Sequence, residues 1–248
     1  MPVVLVHGVP ETSAIWGPLR AELGRDDVVT LSPPGFGAPV PAGFGATSDD
    51  YVQWLATELE GIDGPIDLVG HDWGGGHVQR LAATRPDLIR SWCSDIAGGA
   101  DPEYVWHDRA QLWQTEGAGE EAVQQAAAAP KEMVAAGYAS LSMTPEIARD
   151  CAEAMNDDMG RCILSLYRSA KQPNMARWGA ELERAEHRPS LVIVATEDQF
   201  AGGPAMARRS AERFGSTVAE LDGLGHWWMV QDPSRGAKAL ATFLDTLG

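Results

Sequence analysis

Gly70-His71-Asp72-Trp73-Gly74 sets an acid between two glycines, directly after the apolar run Pro65-Ile66-Asp67-Leu68-Val69 and before a helical segment that runs to Thr84. This is the spacing of a nucleophile elbow, a strand-to-helix turn in which a Cβ on either flanking glycine would clash and the central side chain is displayed at the helix N-terminus. An Asp that merely N-caps a helix in a glycine turn is the competing reading. As a nucleophile, Asp72 would differ from a serine. A carboxylate with a reference pKa near 3.9 is already ionised at neutral pH and needs no base before it attacks. Attack on an acyl carbon would give a mixed anhydride with little advantage, whereas attack on a saturated carbon bearing a strained oxygen or a halide gives a stable ester. The expected chemistry is therefore attack at sp³ carbon, followed by hydrolysis of that ester.

An elbow needs a strand behind it and a sheet around that strand. Pro2-Val3-Val4-Leu5-Val6 is a continuous, mostly β-branched run, the pattern of a strand buried on both faces, which implies a parallel sheet. Ile15 to Leu23 has helical spacing, Val28 to Leu31 reads as a second strand, and Ser48 opens an amphipathic helix that continues to Leu59. A further apolar stretch spans Leu88 to Ile96. From Gly98 to about Arg184 the sequence turns Ala-, Glu- and Gln-rich with no strand pattern. Strands return at Leu191 to Ala195 and at Val218 to Leu221, and an amphipathic helix from Pro233 to Leu247 closes the chain. The expected fold is α/β, with a mostly parallel central sheet flanked by helices. Residues 1–98 and 185–248 form the core, and residues 99–184 form an inserted helical lid.

Composition narrows the partners. A formal net charge of -16, with Lys and Arg scattered, disfavours nucleic acid and anionic membranes and suits a neutral small molecule, with water as co-substrate. No apolar run approaches the roughly 18–20 residues that cross a bilayer, and the N-terminus lacks a basic n-region, so a soluble cytoplasmic protein is expected. Cys93, Cys151 and Cys162 form no C-x-x-C pair, and reduced, buried thiols are expected. Neither a metal nor a cofactor is called for. His77 and His187 read as buried structural histidines.

The complete G-x-D-W-G at residues 70–74 resembles the Asp-nucleophile branch of the α/β-hydrolase superfamily, the epoxide hydrolases and haloalkane dehalogenases. Two further motifs extend the resemblance. His7-Gly8-Val9-Pro10-Glu11 is similar to the H-G-x-P oxyanion loop, which implies that the N–H groups of Val9 and Trp73 hold one oxygen of Asp72. Leu224-Gly225-His226-Trp227-Trp228, ahead of Asp232-Pro233, resembles the catalytic histidine loop and implies that His226 activates water. Asp198, leaving the strand that ends at Ala195, takes the position of the acid that orients the histidine; Glu197 beside it and Asp95 after the elbow helix are rivals. The order nucleophile, acid, histidine fits the superfamily. The chain begins at the strand before His7-Gly8, so the first two strands usual in epoxide hydrolases are missing and a sheet of about six strands is expected. An exposed edge, and a monomer or a homodimer, would both be compatible.

The resemblance implies two chemistries. Epoxide opening needs lid acids, and Leu166-Tyr167-Arg168 resembles the element that supplies one tyrosine. Trp113 stands where its partner would align, with Tyr104 and Tyr138 as substitutes, and Pro10 is a further substrate contact. Halide departure instead uses weak N–H donors, here Trp73 with Trp106, Trp113 or Trp178, while Val9 occupies the place of an asparagine common in dehalogenases. Epoxide hydrolysis is the preferred expectation and carbon–halogen hydrolysis the alternative. A small-ligand receptor on the same fold is the alternative of another class.

Overall fold

The computed structural model describes all 248 residues, and its sheet is built as the strand patterns require. Six parallel strands, β1 (Val3–Val6), β2 (Val28–Leu31), β3 (Asp67–Gly70), β4 (Ser91–Ser94), β5 (Ser190–Ala195) and β6 (Thr217–Leu221), lie in the order β2-β1-β3-β4-β5-β6. The pairing is in register from Val3 opposite Asp67 to Val6 opposite Gly70, which ends β1 and β3 side by side at the two loops that matter chemically. Strand alternation sorts side chains to the two faces of the sheet. Val3 and Leu5 of β1 enter one core with Trp16, Trp228 and Leu240, whereas Val4 and Val6 enter another with Leu55, Leu81 and Phe214.

Helices cover both faces. On one side lie α1 (Gly17–Leu23), α11 (Trp228–Gln231) and α12 (Pro233–Asp245), and on the other α2 (Ser48–Glu60), α3 (Trp73–Thr84) and α10 (Gly203–Phe214). Four of them follow the helical patterns of the sequence, while α10 and α11 were not expected. A capping box between Thr47 and Asp50 starts α2, satisfying donors that a helix start otherwise leaves open. Trp16 and Trp228 are fully buried and meet edge to face with ring centroids 6.4 Å apart, a pairing worth about 0.5–1.5 kcal/mol beyond its buried area. Between β4 and β5 the chain forms six helices, α4 (Asp108–Gln114), α5 (Ala118–Ala128), α6 (Lys131–Ser140), α7 (Pro145–Ala154), α8 (Asp157–Ser169) and α9 (Asn174–Arg184), with no strand among them. Their apolar residues form a third core, with Trp73 and Phe36 contributed from below.

The three cysteines are free and buried. His77 is buried and stacked on Tyr51 with centroids 5.0 Å apart, and burial lowers its pKa to about 3. His187 departs from expectation: it is exposed, in the loop between α9 and β5, where no core exists to bury it. No helix is long and apolar enough to cross a membrane.

The tightness of the elbow is testable. A Cβ on Gly74 would lie 2.1 Å from the Val6 carbonyl oxygen and 2.6 Å from that of His7, both backbone atoms that cannot step aside. Gly74→Ala is expected to reduce the unfolding free energy by about 3 kcal/mol, as other large single-site losses from forced backbone shifts do. Gly17→Ala, at a helical φ of -51° with no atom within 4 Å of the new Cβ, should be neutral or stabilising by about 0.5 kcal/mol. Urea denaturation of both variants checks the pair.

Candidate active site

Asp72 is one of three non-glycine residues with positive φ, at φ 50° and ψ -127°. Backbone in this region is costly for a residue with a Cβ and persists only where the surroundings fix it. Here β1 and β3 fix it, through the glycine contacts above and the His71 N–H, which donates to the Val6 carbonyl at 3.0 Å. The outcome is a carboxylate raised above the end of the sheet. Gly8 makes the space for it, since a Cβ there would stand 2.3 Å from Asp72 Oδ1.

Asp72 Oδ1 accepts from the Val9 N–H at 2.9 Å, and the Trp73 N–H also favours the ionised carboxylate. The two backbone donors expected from the sequence thus converge on one acid. Burial raises the Asp72 pKa above the ordinary value, against the opposing pull of His226 and His71. Asp72 Oδ2 faces His226 Nε2 at 3.6 Å, beyond hydrogen-bonding range. Across the ring, His226 Nδ1 lies 2.9 Å from Asp198 Oδ2, and Asp198 Oδ1 accepts from the Phe200 N–H at 2.7 Å. Burial lowers the His226 pKa, but Asp198 more than offsets it and the net shift is upward. Burial likewise raises that of Asp198, and the imidazole brings it below the ordinary range.

The rival acids lie elsewhere. Glu197 is exposed. Asp95 sits beneath the elbow, where it accepts from the Asp72 N–H at 3.1 Å and the Trp228 indole at 2.7 Å, and it contacts His71 Nδ1 at 2.5 Å. It pairs with His71, and Asp198 pairs with His226.

Sequence reasoning passed over a second charged layer. Glu11, 1% exposed, accepts from the Gly8 N–H at Oε1 (2.7 Å) and from the Trp227 indole at Oε2 (2.6 Å), and the same Oε2 faces His71 Nε2 at 3.6 Å. His71 is therefore a fully buried imidazole between two carboxylates. Burial disfavours its charge, yet Asp95 and Glu11 hold its pKa well above the ordinary value. Burial pushes Glu11 up, but His71 brings it down to about 2. The His71 ring lies against that of His226, centroids 4.5 Å apart. The only hint in the sequence was adjacency, because Glu11 and His71 each stand beside a residue already singled out in the two glycine loops.

Two arms of cavity meet at Asp72. One is walled by Trp73, Trp106, Trp178, Tyr104 and Met175, the other by Pro10, Trp113, Tyr138, Tyr167 and His226. Every lid residue expected to contact substrate lines one arm or the other. Their polar atoms differ. The Tyr104 hydroxyl donates to the Phe200 carbonyl, that of Tyr138 to the Pro10 carbonyl, and the Trp106 indole to the Ala170 carbonyl. Tyr167 is 2% exposed and donates to no protein group. Burial and the nearby Asp72 hold its pKa well above the ordinary phenol value, while the Trp73 indole N–H acts on its oxygen. Arg168 leaves the site and pairs with Glu120. No group of three or more His, Cys, Asp or Glu residues is arranged to hold a metal.

Known proteins share this architecture. Curated relatives align over about a third of their own length: a (E)-2-((N-methylformamido)methylene)succinate hydrolase of Acinetobacter baylyi is 31% identical over 91 residues (36% of this chain, 35% of the relative), and lipase LipV of Mycobacterium tuberculosis is 37% identical over 89 residues (35% and 33%). Among solved structures, an E-2-(acetamidomethylene)succinate hydrolase superposes with TM-score 0.73 at 17% identity, covering 98% of this chain and 91% of that one. Haloalkane dehalogenase DbeA from Bradyrhizobium elkani USDA94 gives TM-score 0.71 at 19% identity, covering 99% and 90%. A thermophilic esterase from Thermogutta terrifontis gives TM-score 0.73 at 20% identity, covering 100% and 90%. The profile of the alpha/beta hydrolase family matches residues 3–239, and with its six-stranded parallel sheet the chain belongs to that family.

Proposed function

We propose that the protein is a hydrolase in which Asp72 is the nucleophile, and that its substrate is an epoxide. The observation that carries this reading is a carboxylate at the elbow, held by the Val9 N–H at 2.9 Å and facing His226 Nε2 at 3.6 Å. One Asp72 oxygen forms a bond to a ring carbon as the carbon–oxygen bond breaks, its electron pair going to the departing oxygen. Tyr167, kept protonated by its burial, donates the proton. His226, oriented by Asp198, then takes a proton from water, whose oxygen attacks the ester carbonyl carbon. The Val9 and Trp73 N–H groups stabilise the oxyanion that forms, where one such donor is typically worth about 3 kcal/mol. The oxyanion collapses as the bond between the carboxyl carbon and the substrate oxygen breaks, the hydroxyl proton of the tetrahedral carbon passes to the departing alkoxide, and the imidazolium proton returns to the tyrosinate, so that epoxide plus water gives diol and Asp72 is again a carboxylate. An oxygen leaving group is favoured over a halide because the Trp106 indole is engaged by the Ala170 carbonyl, whereas the buried Tyr167 hydroxyl donates to no protein group. Carbon–halogen hydrolysis is the second reading: Trp113 lines the cavity with an indole N–H that has no protein acceptor. The protein is taken as acting on a neutral small molecule in the cytoplasm, without a metal or cofactor.

His226→Ala is expected to gain the mass of one substrate on the Asp72 peptide when incubated with styrene oxide, measured by intact-mass and peptide spectrometry. Turnover by this variant with an unmodified Asp72 would count against the scheme. With the unaltered protein, diol should form from styrene oxide; bromide from 1-bromobutane with no diol would reverse the choice between epoxide and halide.

The pH dependence has a definite sign. His226 must be neutral to accept a proton, and Asp198 raises its pKa, so ester hydrolysis should fall as pH drops through a value above the ordinary histidine range. Asp198→Asn removes the raising charge: the limb should move to lower pH while the plateau falls by roughly 10² or more. Single-turnover pH profiles of both proteins read the shift.

A further inference from the structure

Resting on the epoxide reading, the site has one hydrogen-bond donor where two are wanted for the departing oxygen. Tyr104 and Tyr138 have committed their protons to carbonyls, and only Tyr167 is left among the lid tyrosines. A residue that drew no attention in the sequence stands in the right place. His107 precedes α4 and caps it, its Nδ1 accepting from the Ala110 N–H at 3.2 Å. A neutral imidazole whose Nδ1 is an acceptor carries its proton on Nε2. That Nε2–H has no acceptor in the protein.

Position points the same way. Of all the residues lining the two arms of the cavity, only Asp72, His107 and Phe200 line both. The two arms therefore share the wall that Asp72 forms with His107 and Phe200, whose ring centroids lie 5.2 Å apart. The Tyr167 ring centroid is 6.5 Å from that of His107, with the two rings edge to face at 81°, so the two side chains that keep an uncommitted donor are neighbours. Partial burial and the neighbouring His226 keep His107 neutral, with a pKa near 4.

We infer that the Nε2–H of His107 and the O–H of Tyr167 together hold the departing oxygen, so that His107 fills the place that a second lid tyrosine would occupy. Tyr167 transfers its proton and His107 contributes a hydrogen bond only, since a neutral imidazole that lost its remaining proton would become a strong base. The carbon–oxygen bond breaks toward these two donors as the Asp72 oxygen bonds to carbon on the opposite side.

Two substitutions separate this role from capping. His107→Asn keeps an acceptor for the Ala110 N–H, as asparagine is a favoured N-cap, but withdraws the distal donor. His107→Gln reaches about as far as Nε2 with an amide N–H and gives up the cap. Each is placed in the His226→Ala background, where the ester on Asp72 accumulates, and adduct growth with styrene oxide is followed by intact mass. The expected result is a loss of roughly 10²-fold in the Asn variant with an unchanged unfolding midpoint, and a smaller loss in the Gln variant, within about tenfold. An Asn variant that forms ester at the parent rate, or a Gln variant slower than the Asn variant, overturns the donor role while leaving Asp72 as nucleophile. Absence of any adduct in the His226→Ala parent overturns the epoxide reading and this inference with it.

Discussion

The geometry of the site depends on how Asp72 is held. Its backbone, at φ 50°, lies where a side chain is ordinarily disfavoured, and the residue stays there because the chain around it has no alternative. Gly70 and Gly74 let the strand and helix fold against each other and against β1, and Gly8 leaves the carboxylate a place to stand. The Val9 N–H then fixes one oxygen and leaves the other toward His226. Parallel pairing of β1 with β3, in register to their last residues, brings the two glycine loops together, so the sheet itself assembles half of the site.

A second constraint lies just below. Glu11 and Asp95 bracket His71 in a region without solvent, and the Trp227 and Trp228 indoles each donate to one of the two carboxylates. A buried charge is tolerated when it is paired and hydrogen-bonded: both carboxylates accept hydrogen bonds, and His71 bonds Asp95 through Nδ1 while its Nε2 faces Glu11 without a hydrogen bond. The same layer touches both partners of the site, since Asp95 accepts from the Asp72 N–H and the His71 ring lies against His226. Truncating one member would leave another charge buried and unpaired, a situation that commonly costs about 3–5 kcal/mol. The positive His71 also opposes the charging of His226 and favours the ionised form of Asp72.

Much of this was legible in the residues. Strand runs such as Val3 to Val6, and the shift to helical spacing after Gly98, are local patterns, and the sheet of six parallel strands follows from them. The G-x-D-x-G spacing was equally plain because a tight turn imposes steric rules on each position. Asp198 over Asp95 was harder to read, since both follow strands that end at the same edge of the sheet and only side-chain direction separates them. Glu11, His71 and His107 carried no periodic or spacing signal of their own. Their importance arises from contacts between segments far apart in sequence, such as Glu11 with Trp227. His187 was misjudged because a histidine near a core strand gives no indication that it falls in the exposed loop before that strand.

The central claim is that Asp72 bonds to carbon and is released by attack of water on its own carboxyl carbon. A single turnover in water enriched in heavy oxygen, with excess enzyme, tests this most directly. The account predicts that the label enters the Asp72 carboxylate and that the first product carries ordinary oxygen from the enzyme. Label found in that first product, with none in the Asp72 peptide, would mean that water attacks the substrate directly and would contradict the account.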